Sequence, residues 1–173
     1  SLSSLKAAMP DWCAKAEMLV DRLLGKTVDG VRELGEQFPL SVFPDLIGIR
    51  EEGREHLIPY GTTAFNGFGP RNRLFEEAIA NAAAASAAVM ESCRRENLAP
   101  NGWGMKVYEA ADRGDCTPEE AERLVRSFLT AGLDTTVNGI GNMLHAFAQH
   151  PDQWAKLRAD PGLAKKAFEE SLR

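Results

Sequence analysis

Asp134 and Thr135 stand side by side in AGLDTT, residues 131–136, inside a stretch that otherwise has the apolar period of a buried helix. A carboxylate next to an alcohol is a pair able to pass protons into a dry pocket, because one exchanges protons and the other both donates and accepts a hydrogen bond. For either residue alone, the bland alternative is a solvent-facing side chain on a helix that tolerates glycine. The surrounding residues weigh against it. Gly132, Gly139 and Gly141 each cost about 1 kcal/mol relative to alanine in a helix interior, and Thr135, Thr136 and Val137 add roughly half of that apiece. Local preference given up in one place is where functional sites tend to lie. Gly132 admits close approach to the helix backbone, and the Thr135 hydroxyl can reach back to the Ala131 carbonyl, loosening the helix into a groove.

One turn before Ala131, Ser127 falls on the same face, with Arg126 beside it. A hydroxyl and a cation at that end of the helix suit a small carboxylate, although Arg126 reads equally well as a solvated surface charge. Phe65 and Phe68 lie in AFNGFGPRN, residues 64–72, a Gly- and Pro-containing stretch expected to be a loop. They are candidates to pack against an aromatic ring or plain packing residues. Cys13, Cys93 and Cys116 are odd in number and far apart, and His56, His145 and His150 have no ligand spacing, so neither a disulfide framework nor a metal site within this chain is indicated.

The elements that must position these residues are almost all helical by period. Thr117 as N-cap, Pro118 at the first helical position and Glu120 closing a capping box start a helix that nothing interrupts before Pro151. At about 1.5 Å per residue, residues 118–149 span about 48 Å. A compact domain of this chain length has a diameter of roughly 40 Å, so the helix reads as the central strut of a larger protein. Upstream, helices are expected over residues 8–24, 38–49, 50–63, 73–97 and 105–111, with a weakly signalled strand near 28–31. Downstream, short helices are expected between Pro151 and Pro161 and from Leu163 to the end.

With 173 residues, 44% of them hydrophobic and 26% charged, the chain supports one domain with a real core. A net charge of -5 argues against a general nucleic-acid or anionic-membrane surface. The longest apolar run, residues 78–90, is mostly alanine and too short to cross a bilayer. Together with the cysteine usage, this leads us to expect a reducing cytoplasm. Beginning at Ser1 without a methionine and ending in helical pattern at Arg173, the chain reads as an internal piece.

AGLDTT resembles the oxygen-binding motif of the cytochrome P-450 superfamily, the haem-thiolate monooxygenases. Two further segments follow in that family's order: HPDQWAKLRADP, residues 150–161, is similar to the helix after the central one, and EESLR contains the ExxR pair as Glu170 and Arg173. The resemblance implies a mainly α fold, the central part of the P-450 helical fold. The lid would lie at about 50–97, the oxygen-activating helix at 118–149 and the start of the ExxR helix at 163–173. It implies a haem b cofactor whose thiolate ligand lies outside this chain, dioxygen as co-substrate and a ferredoxin-type donor. Thr135 would hydrogen-bond dioxygen and steer its protonation, Asp134 would relay protons from solvent, and Ala131 and Gly132 would line the haem groove. Glu170 and Arg173 would be the family's buried structural pair. The chain also resembles the bacterial subfamily that oxidises para-substituted benzoates, including demethylation of methoxybenzoate, with Phe65, Phe68, Arg126 and Ser127 toward the substrate. A competing expectation is a non-catalytic helical interaction module derived from such an enzyme.

Overall fold

The computed structural model describes residues 2–80 and 82–173, with side chains from residue 5 onward. Nine α-helices are seen among them: α1 (Leu2–Leu23), α2 (Gln37–Ile47), α3 (Leu57–Phe68), α4 (Arg73–Ala80), α5 (Ala82–Ser92), α6 (Trp103–Asp112), α7 (Pro118–Gln149), α8 (Pro151–Ala159) and α9 (Ala164–Ser171). The extended pairing described is an isolated antiparallel bridge, Ile49 with Leu98. The chain divides into two compact units, one of residues 39–134 and one of residues 1–38 with 135–173. Helix α7 supplies its first half to the former and its second half to the latter.

The 39–134 unit is built on Ile47, Leu57, Val89, Cys93, Val125 and Leu129, drawn from α2, α3, α5 with the residue that follows it, and α7, and nearly or fully buried. Large-to-small changes at such positions cost about 2–5 kcal/mol each. Two glycines let its α2 end and α6 start cross at contact distance. Gly48 has φ +97°, which favours glycine, and a Cβ at Gly102 would overlap the Ile47 carbonyl oxygen. The Ala99 N–H donates to the Gly48 carbonyl at 2.8 Å and closes the crossing.

In the other unit, Leu19 and Val137 are buried, Gly139 receives the Phe168 ring, and Phe147 packs on Trp154 with ring centroids 5.2 Å apart. A groove of about 430 Å³ there is lined by Met143, Phe147, Leu157 and Leu163 among others.

Several expectations need correction. The strand near 28–31 is instead the start of a π-helical turn, Gly30–Gly35. The Asp29 carboxylate accepts from the N–H groups of Val31 (2.9 Å) and Arg32 (3.0 Å), so a local cap overrides the β preference of two valines. The helix expected over 50–63 is displaced. Gly53 adopts φ +88°, a short 3-10 turn follows at Arg54–His56, and α3 begins only at Leu57. That shift carries α3 through Phe68, so Phe65 and Phe68 lie on its last turns rather than on a loop. One internal glycine, Gly67, is too small a penalty to stop a packed helix. It is Pro70, which forces Gly69 into extended geometry, that stops it. Helix α1 begins earlier than residue 8 and holds Pro10 inside it. The expected 73–97 helix is described as α4 and α5 on either side of Asn81, which lies outside the described residues, and closes with a 3-10 turn at Arg95–Asn97.

Candidate functional site

Helix α7 starts where its cap residues dictate. The Glu120 N–H donates to Thr117 Oγ1 at 3.2 Å, and the Thr117 N–H donates to the Glu120 carboxylate at 2.8 Å. These bonds hold the Glu120 carboxyl below its ordinary range. Its rotation is then fixed by one stripe at four-residue spacing: Ala121, Val125, Leu129, Leu133 and Val137, all buried. The helix runs unbroken through residues 131–136. Burial of that stripe outweighs the poor local preference of the glycines and threonines, at roughly 1.5–3 kcal/mol for each large apolar side chain.

Relative to the stripe, two rows of site residues follow. Ser127, Ala131 and Thr135 are exposed, as is Phe128 beside them. This is a low-profile face of small and apolar groups with a hydroxyl at either end, and it is suited to receive a flat apolar group. Arg126, Thr130 and Asp134 form the adjacent row and are half-buried. Thr130 Oγ1 donates to the Arg126 carbonyl at 3.2 Å, a back-bond within this row.

Arg126 and Ser127, neighbours in sequence, therefore face different surroundings. The Arg126 guanidinium is close enough to Cys93 and Tyr108 to act on both electrostatically, so it points toward α5 and α6. Its Nε is buried with no hydrogen-bond partner among the described residues. Such a donor costs free energy until an acceptor reaches it. Burial pushes the Cys93 thiol up to about 12 despite the opposing effect of Arg126, and Tyr108, whose hydroxyl donates to the Cys93 carbonyl at 2.9 Å, is also pushed up to about 12, again chiefly by burial. Cys93 is thus a core thiol rather than a ready thiolate. Among the described residues, no cluster of three or more His, Cys, Asp and Glu is arranged to hold a metal ion.

Gly132 and Asp134 are each met by a residue that the sequence alone did not single out. A Cβ at Gly132 would overlap the Phe43 ring from α2, so the close approach that Gly132 admits on this side is that of an aromatic side chain. Asp134 lies against Gly61, a buried glycine in the middle of α3. Gly61 carried a legible signal, since a glycine inside an apolar helical run is the same local anomaly that marks Gly132. Phe43 carried none. On α3, Phe65 and Phe68 meet edge to face with centroids 6.3 Å apart, and Phe68 is 85% exposed.

Glu170 and Arg173 do pair, with Arg173 Nε 3.5 Å from Glu170 Oε2, but their side chains are 72% and 81% exposed rather than buried. At that exposure an ion pair contributes little. No helix of the described residues is long and apolar enough to cross a membrane.

No family model matches the chain. Among curated proteins it is 49% identical to Cytochrome p450 CYP199A2 of Rhodopseudomonas palustris over its whole length, which is 42% of that relative. It is 33% identical to Cytochrome P450 107B1 of Saccharopolyspora erythraea, over 90% of this chain and 38% of that one. Among solved structures it matches P450BioI in complex with an acyl carrier protein carrying hexadec-9Z-enoic acid. That match has a TM-score of 0.82 and 26% identity and covers 99% of this chain and 46% of that one. The CYP109E1 structure from Bacillus megaterium, at TM-score 0.79 and 20% identity, shares the fold. The chain spans less than half the length of each of these proteins.

Proposed function

Because this chain belongs to the cytochrome P-450 superfamily, as a segment of it, we propose that the full-length protein is a haem-dependent monooxygenase placing one atom of dioxygen into a small organic substrate. The observation that carries this reading is the pair of rows on α7, exposed Ser127, Ala131 and Thr135 beside half-buried Arg126, Thr130 and Asp134. Haem b with a thiolate ligand supplies the electron density that favours cleavage of the O–O bond. The buried Cys93 argues that the thiolate comes from residues other than this one, and no cysteine of this chain stands in a glycine-rich ligand loop.

In this reading the haem would lie against Ala131 on the exposed row, with Gly132 beside it admitting the Phe43 ring of α2 on its other side. Thr135 holds a proton at Oγ1, and Asp134, one residue earlier and half-buried, refills it from solvent. Residues 50–97 act as the lid, 118–149 as the oxygen-activating helix and 163–173 as the start of the ExxR helix, where Glu170 and Arg173 become a structural pair once covered. The protein works in the cytoplasm with a ferredoxin-type donor.

The substrate reading is a para-substituted benzoate, oxidised by hydroxylation or O-demethylation. Its support is the buried, unpartnered Nε of Arg126, a donor that a carboxylate would satisfy; Ser127, on the adjacent exposed row, would meet another part of the substrate. Phe65 and Phe68 on the lid helix pack against the ring. In the full-length haem protein, para-methoxybenzoate is expected to shift the haem absorption spectrum at far lower concentration than its uncharged amide. Equal shifts from acid and amide would overturn the benzoate assignment.

A further inference from the structure

We infer that Gly61 of α3 is a positioning residue for Asp134, leaving the carboxylate room to turn as it passes its proton; this rests on the reading of Asp134 as the relay. Gly61 is buried in the middle of a helix, where glycine is a poor former. Static packing does not require it. A Cβ at this position would stand 3.5 Å from Asp134 Cβ and 4.0 Å from Asp134 Oδ1, ordinary contact distances that alanine meets without displacing anything. The fold would therefore accept alanine and gain helix preference, and the glycine needs a different reason.

The geometry points to that reason. The Gly61 position of α3 lies against the Asp134 side chain, and a methyl group there, 4.0 Å from Oδ1, would meet a carboxylate that turned toward α3. A relay group delivers a proton in one orientation and collects it in another, so a neighbour that fits one orientation tightly obstructs the exchange. Gly61 also shares a helix face with Phe65 and Phe68, four and seven residues further on. The helix that bounds the acid is thus the one whose aromatic residues meet the substrate, and its position bears on both.

The test compares Gly61→Ala and Asp134→Asn with the unaltered full-length haem protein by melting temperature, substrate dissociation constant, turnover and solvent deuterium isotope effect. The inference predicts that Gly61→Ala melts at or above the parent and binds substrate equally well. Its turnover falls on the order of tenfold, part of the roughly 10²- to 10⁴-fold that a positioned proton-transfer group contributes, and its solvent isotope effect rises. If Asp134→Asn slows turnover while Gly61→Ala leaves turnover and isotope effect unchanged, the role of Gly61 falls and that of Asp134 stands. If Gly61→Ala melts lower, glycine is there for packing and the inference is overturned. If Asp134→Asn itself changes nothing, the relay reading fails and takes the inference with it.

Discussion

At Gly132 a single missing side chain determines how α2 meets α7, because the Phe43 ring occupies the space a Cβ would take. Alanine there must push back a half-buried aromatic ring rather than the tip of a flexible chain. Gly132→Ala should therefore destabilise the full-length protein by about 1–3 kcal/mol, measured by the denaturant midpoint. Phe43→Leu in the same background should recover part of that loss, whereas additive losses would show that the two residues do not share the space. That something approaches Gly132 closely was legible from a glycine in an apolar helix. That it is Phe43 was not, because long-range pairing leaves no local pattern. Asp134 and Thr135 could be singled out from type and spacing alone, while the side of α3 that faces Asp134 became apparent only with the fold.

Helix α7 is the element that sequence rules describe best. Its start and its end at the residue before His150 and Pro151 follow from capping chemistry and the proline that breaks it, while its buried stripe was found only with the fold. The shorter elements were less legible. At residues 28–31 a side-chain cap competed with β preference, and at 64–68 packing carried a helix across a glycine. In both places about 1 kcal/mol or less of propensity was set against a stronger interaction.

The cap of α7 makes a pH-dependent prediction. Because the folded Glu120 pKa is lowered below the ordinary 4.5, chiefly by its bond to the Thr117 N–H, its contribution to stability is present above 4.5 and is lost as pH falls through the lower folded value. Thr117→Ala should cost about 1 kcal/mol near neutral pH, read from thermal or denaturant unfolding. Glu120→Gln should differ from the parent above pH 4.5 and converge with it in acid. A difference that persists unchanged in acid would contradict the cap's electrostatic part.

At the scale of the whole molecule, this chain carries the helix with the acid and the alcohol, and its relatives are more than twice as long. The proposed oxygenase is accordingly a property of the full-length protein, with these residues supplying proton handling, a seat for the cofactor and part of the substrate pocket.

In the proposed oxygenase Asp134 and Thr135 direct protons to dioxygen. The most direct measurement is the ratio of product formed to dioxygen consumed in the full-length protein and in its Thr135→Ala variant, with para-methoxybenzoate bound. With those roles, dioxygen consumption continues in the variant while product per dioxygen drops several-fold, on the order of the contribution of one positioned proton-transfer group. An unchanged ratio at an unchanged rate would contradict them.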